Sequence, residues 1–290
     1  MKLTGRREST NVDDRRGMTA AKAGGVGIVG IIIALIMTFM SKGSLNIADL
    51  ISLAPEMMGN VTEQAEGGRE FTEEEQALAT FSKQILAGTE DVWEEQFKKI
   101  GRTYEPPKMV LYTGSVKTGC GNGSASMGPF YCSADQCLYI DLSFFTSMKQ
   151  QLGADGDFAY AYVIAHEVGH HVEYLLGTLG KVHQQMAKLN STEANKLSVR
   201  LELLADFYAG VWAYHDNKMF GSIEDGDLEE AIRCAQVIGD NYLQEKARGY
   251  SQPETFTHGT SKQRMKWLKL GLQTGDITKG TTFQCSDAEL

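Results

Sequence analysis

His166-Glu167-Val168-Gly169-His170 sits inside a run from Asp157 to Leu176 whose residues favour a helix. On a helix, two histidines at i and i+4 stand one turn apart on the same face. From there both imidazoles can reach a single Zn²⁺. Glu167 is rotated about 100° from His166 at 3.6 residues per turn. It can lean over a water in the open fourth position of such a metal and take its proton. Phe158, Tyr162, Ala165, Val172 and Leu176 fall mostly away from the histidines, as a half-buried helix requires. His171 follows His170 directly and so points about 100° away. A surface or supporting role is expected for it.

Two histidines do not complete a catalytic zinc site, so a third protein ligand must lie elsewhere. A third histidine six residues after His170 is absent, because that position is Leu176, and position 173 is Glu173 rather than glycine. The other solution is an acid on a later helix. Arg200-Leu201-Glu202-Leu203-Leu204-Ala205-Asp206 supplies one. Glu202 and Asp206 are i and i+4 on one face, while Leu197, Leu201, Leu204, Tyr208 and Val211 form the opposing apolar face. Glu202 is placed to ligate. Asp206, one turn on, is placed to accept the second ring N–H of a ligating histidine, which fixes its tautomer.

Outward from these two helices, helical spacing predicts segments at 71–88, 91–100, 181–190, 192–215, 227–247 and 261–272. Lys108 to Thr113 and Leu138 to Leu142 alternate with period two and read as strands. Strands come early and helices dominate late, which predicts an α+β fold. Leu138–Leu142 precedes the histidine helix and is the expected edge strand for an extended peptide substrate, bound by main-chain pairing.

The charge is unevenly placed. Lys and Arg number 28 against 37 Asp and Glu, for a net charge of −9. That balance argues against a nucleic-acid binder, which needs a basic footprint. Residues 1–22 nevertheless carry Lys2, Arg6, Arg7, Arg15, Arg16 and Lys22 against Glu8, Asp13 and Asp14. Residues 23–41 carry no charge, and Ile28 to Met40 is almost wholly apolar. That is just long enough to span a bilayer, which takes about 20 residues. A cleaved signal peptide and a buried core helix are the competing readings, but the head is long, Met40-Ser41-Lys42 is a poor cleavage site, and the apolar residues surround the helix rather than striping it. The expectation is a basic cytoplasmic head at 1–22, a single-pass signal anchor in the inner membrane at 23–41, a linker at 42–72 and a catalytic domain at 73–290 in the periplasm or outside the cell.

All five cysteines follow the uncharged stretch, and an extracytoplasmic compartment permits disulfides. Cys120 and Cys132 bracket a glycine-rich loop and form the first candidate pair. Cys234 and Cys285 form the second.

The two acid–histidine motifs together resemble the gluzincin class of zinc metallopeptidases. More closely, the chain is similar to a bacterial family of neutral zinc metallopeptidases. The likeness also rests on Met127-Gly128-Pro129-Phe130-Tyr131-Cys132, Tyr139-Ile140-Asp141-Leu142-Ser143-Phe144-Phe145, Leu152 to Phe158, Gly226 to Ala231 and Phe256 to Ser261. It covers nearly the whole chain. The resemblance implies a zincin-like fold, one Zn²⁺ per chain and a peptide or protein substrate. A distal histidine stabilises the oxyanion in some gluzincins, and His258, in a polar turn before the last helix, is the candidate here. Arg264 and Tyr250 are further candidates for that task. Two other readings stay open: a binding or assembly-control protein on the same scaffold, or a metal hydrolase of another amide bond. Glu167 favours catalysis, because a closed structural zinc site has no use for it.

Overall fold

The computed structural model describes residues 1–17 and 70–290. Four strands form the main sheet: β1 (Val12–Asp14), β2 (Lys108–Tyr112), β5 (Phe130–Cys132) and β6 (Cys137–Asp141), in the order β1-β2-β6-β5. β1, β2 and β6 run parallel, and β5 is antiparallel to β6. Between β2 and β5 the chain makes a separate hairpin, β3 (Ser115–Thr118) with β4 (Gly121–Ser124). Among the described residues, eight helices complete the fold. They are α1 (Glu73–Lys99), α2 (Ser143–Ser147), α3 (Asp157–Leu176), α4 (Thr178–Met186), α5 (Ser191–Phe220), α6 (Asp227–Val237), α7 (Asp240–Arg248) and α8 (Ser261–Thr274). The fold is α+β and mostly helical, as the order of elements predicts.

Period-two alternation assigns the faces of the sheet. Met109, Leu111, Leu138 and Ile140 join the main core with Trp93 and Phe97 of α1 and with Phe158 and Tyr162 of α3. Val110, Tyr112, Cys132 and Tyr139 face the other way and pack with Val116 of the β3–β4 hairpin and with Phe130. The hairpin is tied to β5 by the Cys120–Cys132 disulfide. The second expected pair does not form. Cys234 is buried on α6 with its thiol against the Met148 sulfur, whereas Cys285 lies in the C-terminal tail that Arg200 holds.

The acidic first turn and Thr72–Glu75 capping box start α1 at Glu73, two residues after the expected 71. Gly88 does not end the helix. It lies in the middle of one continuous helix because a Cβ there would stand 2.7 Å from Arg6 and 2.8 Å from Asp216. Those two form a nearly buried ion pair at 2.8 Å, and glycine gives it room. The predicted helix at 227–247 is instead two, broken at Ile238-Gly239, so that Asp240 can turn toward residues 257–259.

Residues 1–17 correct the expected domain plan. They are not a separate head but part of the same folded unit. β1 pairs with β2, Val12 opposite Met109 and Asp14 opposite Leu111. Arg6 reaches Asp216 on α5, and Ser9 and Asn11 both donate to Glu90 on α1. Removing one member of a buried pair such as Arg6–Asp216 costs about 3–5 kcal/mol, so this is a firm attachment. Arg16 also stacks over Phe71 at 4.2 Å and donates to the Glu75 carbonyl at 2.8 Å, so the residues flanking 18–69 are in contact. Among the described residues, 1–17 and 70–290 thus form one packed unit, and the expected boundary between a head at 1–22 and a domain at 73–290 does not follow the packing. The proposed anchor at 23–41 and nearly all of the linker lie outside the described residues. Among the described residues, no helix is long and apolar enough to cross a membrane.

Strand order brings a second correction. Leu138–Leu142 is not the edge: β6 lies between β2 and β5, with its backbone paired on both sides. Among the described residues, the edge strand beside the histidine helix is β5, Phe130–Cys132.

Candidate active site

The site forms where α3 and α5 cross. Gly169, inside the histidine motif, faces the backbone of Ala205, and a Cβ there would lie 2.9 Å from the Ala205 carbonyl oxygen. Only glycine lets the two helices approach this closely, and the approach brings His166 and His170 onto Glu202. His166 Nε2 is 3.2 Å from Glu202 Oε2, and His170 Nε2 is 3.5 Å from Glu202 Oε1. The three ligand atoms of this set lie within 4.8 Å of one another. Ligands at zinc distances and tetrahedral angles stand about 3.3 Å apart. Two imidazole nitrogens and a carboxylate at this spacing fit Zn²⁺ and leave the fourth position open.

Each histidine is held from behind by a carboxylate. His166 donates its Nδ1–H to Asp206 Oδ1 at 2.8 Å, and His170 donates its Nδ1–H to Glu173 Oε2 at 2.9 Å. Both contacts leave Nε2 as the nitrogen that could face a metal. Asp206 is fully buried. Burial alone would raise its pKa, but Arg264 and His166 outweigh it and hold the carboxyl well below its ordinary range. Arg264 contacts both Asp206 oxygens at 2.8 Å, and Tyr162 donates its hydroxyl to Oδ1 at 2.6 Å. Arg264 is thus engaged in orienting Asp206. Tyr250, the other alternative oxyanion donor, is exposed, lies against the Arg248 guanidinium and does not line the cleft.

Glu173 was missed by sequence reasoning, which used it only to exclude a third-histidine pattern. Its signal was present as a carboxylate three residues after His170, on the same helical face. Of the two roles expected for His171, the supporting one holds: it is fully buried. A carbonyl can only accept, so Nε2–H of His171 donates to the Glu105 oxygen at 2.7 Å, and Nδ1 accepts from the Tyr131 hydroxyl at 2.9 Å. His171 therefore ties edge strand β5 to the metal-site helix.

Glu167 and His258 line the same cleft as His166, His170 and Glu202, the set that could hold a metal. Burial pushes the Glu167 carboxyl upward, against the pull of His166 and His170. That direction suits a base working near neutral pH. His258 is about half exposed, at 51% of its side chain. Its turn is held by Asp240, whose Oδ2 accepts the backbone N–H groups of Thr257, His258 and Gly259 at 2.8, 2.7 and 2.9 Å. Asp240 Oδ1 lies 3.3 Å from His258 Nδ1. The His258 pKa is raised, first by Glu202 across the cleft and then, against burial, by Asp240.

The sequence profile of the family described as "putative neutral zinc metallopeptidase" matches residues 1–283. The chain belongs to this family. Its cofactor is accordingly zinc, and its substrates are of the peptide or protein class. The match begins at residue 1, which agrees with an N-terminal strand built into the neutral zinc metallopeptidase unit. A relative from Escherichia coli strain K12, named uncharacterized protein YpfJ, is 48% identical over 293 residues, covering 98% of this chain and 99% of its own. A Mycobacterium bovis relative, uncharacterized protein Mb2605, is 42% identical over 194 residues, covering 63% of this chain and 64% of its own. Rv2575 of Mycobacterium tuberculosis H37Rv, also named uncharacterized, matches to the same extent. No solved structure matches.

Proposed function

We propose that this protein is a zincin-like metallopeptidase of the gluzincin type that hydrolyses internal peptide bonds. The observation that supports this most directly is the convergence of His166, His170 and Glu202 beside Glu167 in an open cleft. Zinc held by the three ligands would polarise the scissile carbonyl and acidify water.

The remaining steps belong to the chain's own residues. An extended substrate pairs with the free edge of β5, which Tyr131 and His171 hold in register with the site. Glu167 takes a proton from the attacking water and passes it to the departing amine. His258, held by Asp240, donates a hydrogen bond to the oxyanion of the tetrahedral intermediate. Loss of one such donor typically costs about 2.7–4 kcal/mol of transition-state stabilisation. Asp206 and Glu173 keep both imidazoles in the ligating tautomer throughout. The deciding experiment is turnover of a peptide library by the full chain loaded with zinc. Cleavage that a chelator abolishes and zinc restores is expected. Absence of cleavage by a folded, zinc-loaded chain would overturn the reading.

A further inference from the structure

We infer that Cys137 is an exchange thiol: it can take Cys132 from Cys120, and the swap unlocks the cleft wall formed by residues 127–131. Cys132 on β5 is bonded to Cys120 at the tip of the β3–β4 hairpin, and it stands directly opposite Cys137 on β6 in the strand register. Opposed residues of an antiparallel pair project to the same face, and both side chains belong to one small apolar cluster. Their Cα atoms are about 4.5–5.5 Å apart in such a ladder, inside the range of about 4.4–6.8 Å that a disulfide spans. Cys132 can therefore bridge to Cys137 without backbone movement. Cys137 is a half-buried free thiol that donates to the Asp135 carbonyl at 3.3 Å. The other free thiols are placed elsewhere: Cys234 is buried against Met148, and Cys285 lies in the tail held by Arg200.

The exchange balances within the chain. Cys137 loses its proton to solvent, and its sulfur forms a bond to Cys132 Sγ. The Cys120–Cys132 bond breaks, and Cys120 leaves as a thiolate that takes a proton back. One disulfide and one thiol are present before and after, so no oxidant or reductant is needed. Burial and Asp135 raise the Cys137 pKa over the pulls of Tyr139, Lys108 and Arg15, so deprotonation sets the pace. What changes is the loop that is closed. Cys120–Cys132 spans a separation of 12 residues and encloses Met127, Gly128, Pro129, Phe130 and Tyr131, all of which line the cleft. Cys132–Cys137 encloses only the turn Ser133-Ala134-Asp135-Gln136. The wall then loses its covalent closure, while β5 stays paired with β6. The exchange itself does not depend on the peptidase reading.

The test uses the oxidised full chain in mildly alkaline buffer without added thiol. Samples are quenched in acid, alkylated in acidic denaturant and digested with pepsin, so that no exchange follows the quench. Mass spectrometry should find a Cys132–Cys137 bridge together with alkylated Cys120. Cys120 alkylation should be at least about tenfold above that in Cys137→Ser, which lacks the attacking thiol. Cys120→Ser, held in a glutathione redox buffer, should close the Cys132–Cys137 bridge. Its amides between residues 121 and 129 should exchange with deuterium at least about tenfold faster than those of Cys137→Ser, which is locked in the Cys120–Cys132 form. A Cys120 that stays bonded throughout, equal alkylation in Cys137→Ser, or a Cys120→Ser chain that keeps both thiols free would overturn the exchange. Equal deuterium uptake in the two variants would overturn the unlocking of the wall.

Discussion

Arg264 grips Asp206 through both carboxylate oxygens, Nε to Oδ2 and Nη2 to Oδ1, each at 2.8 Å. The same Oδ1 receives the His166 N–H at 2.8 Å, so the arginine fixes the carboxylate and the carboxylate fixes the ligand. Asp206→Ala should therefore weaken zinc binding by about 10–100-fold without abolishing it. Glu202→Ala should be far more damaging, because it removes a ligand. Chelator-competition titration separates the two. Equal damage would place Asp206 on the metal. Wild-type affinity in Asp206→Ala would make the contact structural only.

Glu173 has the same relation to His170, at 2.9 Å. Glu173→Gln keeps the shape and an acceptor oxygen but removes the charge that strengthens the imidazole. Zinc affinity should fall by up to about 10–100-fold, with the fold retained. An unchanged affinity in the same titration would exclude this supporting role.

Glu167→Gln should keep both zinc and fold while hydrolysis disappears, because Glu167 is assigned as the base and not as a ligand. Zinc content and turnover measured on one preparation decide the matter. Loss of zinc together with activity would make Glu167 a ligand.

The fold needs residues 1–17. A chain begun at residue 43 lacks β1 and leaves the β2 edge and Glu90 without their partners. It should be insoluble or melt well below the full chain, and a shift of less than a few degrees would refute this. The pairing also requires both parts on one side of any membrane. Cysteines introduced at exposed Thr10 and exposed Glu289 should react with a membrane-impermeant maleimide from the same side. Labelling from opposite sides would contradict the β1–β2 pairing.

Burial lowers the pKa of His171 from 6.5 to about 4, only partly offset by its bond to the Glu105 carbonyl. As pH falls through 6.5 the unfolded chain binds a proton that the folded chain refuses until about 4. Stability is thus lost across that window, by about 3 kcal/mol at its lower end, and is unaffected by this group above it. Denaturant melts from pH 8 to 4 should show this slope in the wild type and a shallower one in His171→Gln. Parallel slopes would assign the acid sensitivity elsewhere.

The sequence alone determined what depends on local periodicity. His166 and His170, and likewise Glu202 and Asp206, are four residues apart on a helix. That spacing stacks them on one face whatever the rest of the chain does. The same rule made the helix-rich C-terminal half and the α+β order legible. The Cys120–Cys132 pairing was accessible for a related reason, since only 12 residues separate the two.

Tertiary structure decided everything that joins distant segments. Val12 pairs with Met109, and no pattern within three residues of strand announces a partner so far along the chain. The basic residues of the head looked like a membrane-orienting signal because their acidic partners, Asp216 for Arg6 and Glu90 and Asp91 for Arg7, are remote in sequence. Which strand is the edge depends on sheet order, not on the alternation within β6. Which acid serves which histidine depends on the α3–α5 crossing that Gly169 permits. Periodicity places a side chain on a face of its own element. Only the packing of elements, set by the burial of apolar faces and the pairing of buried charges, decides what that face meets.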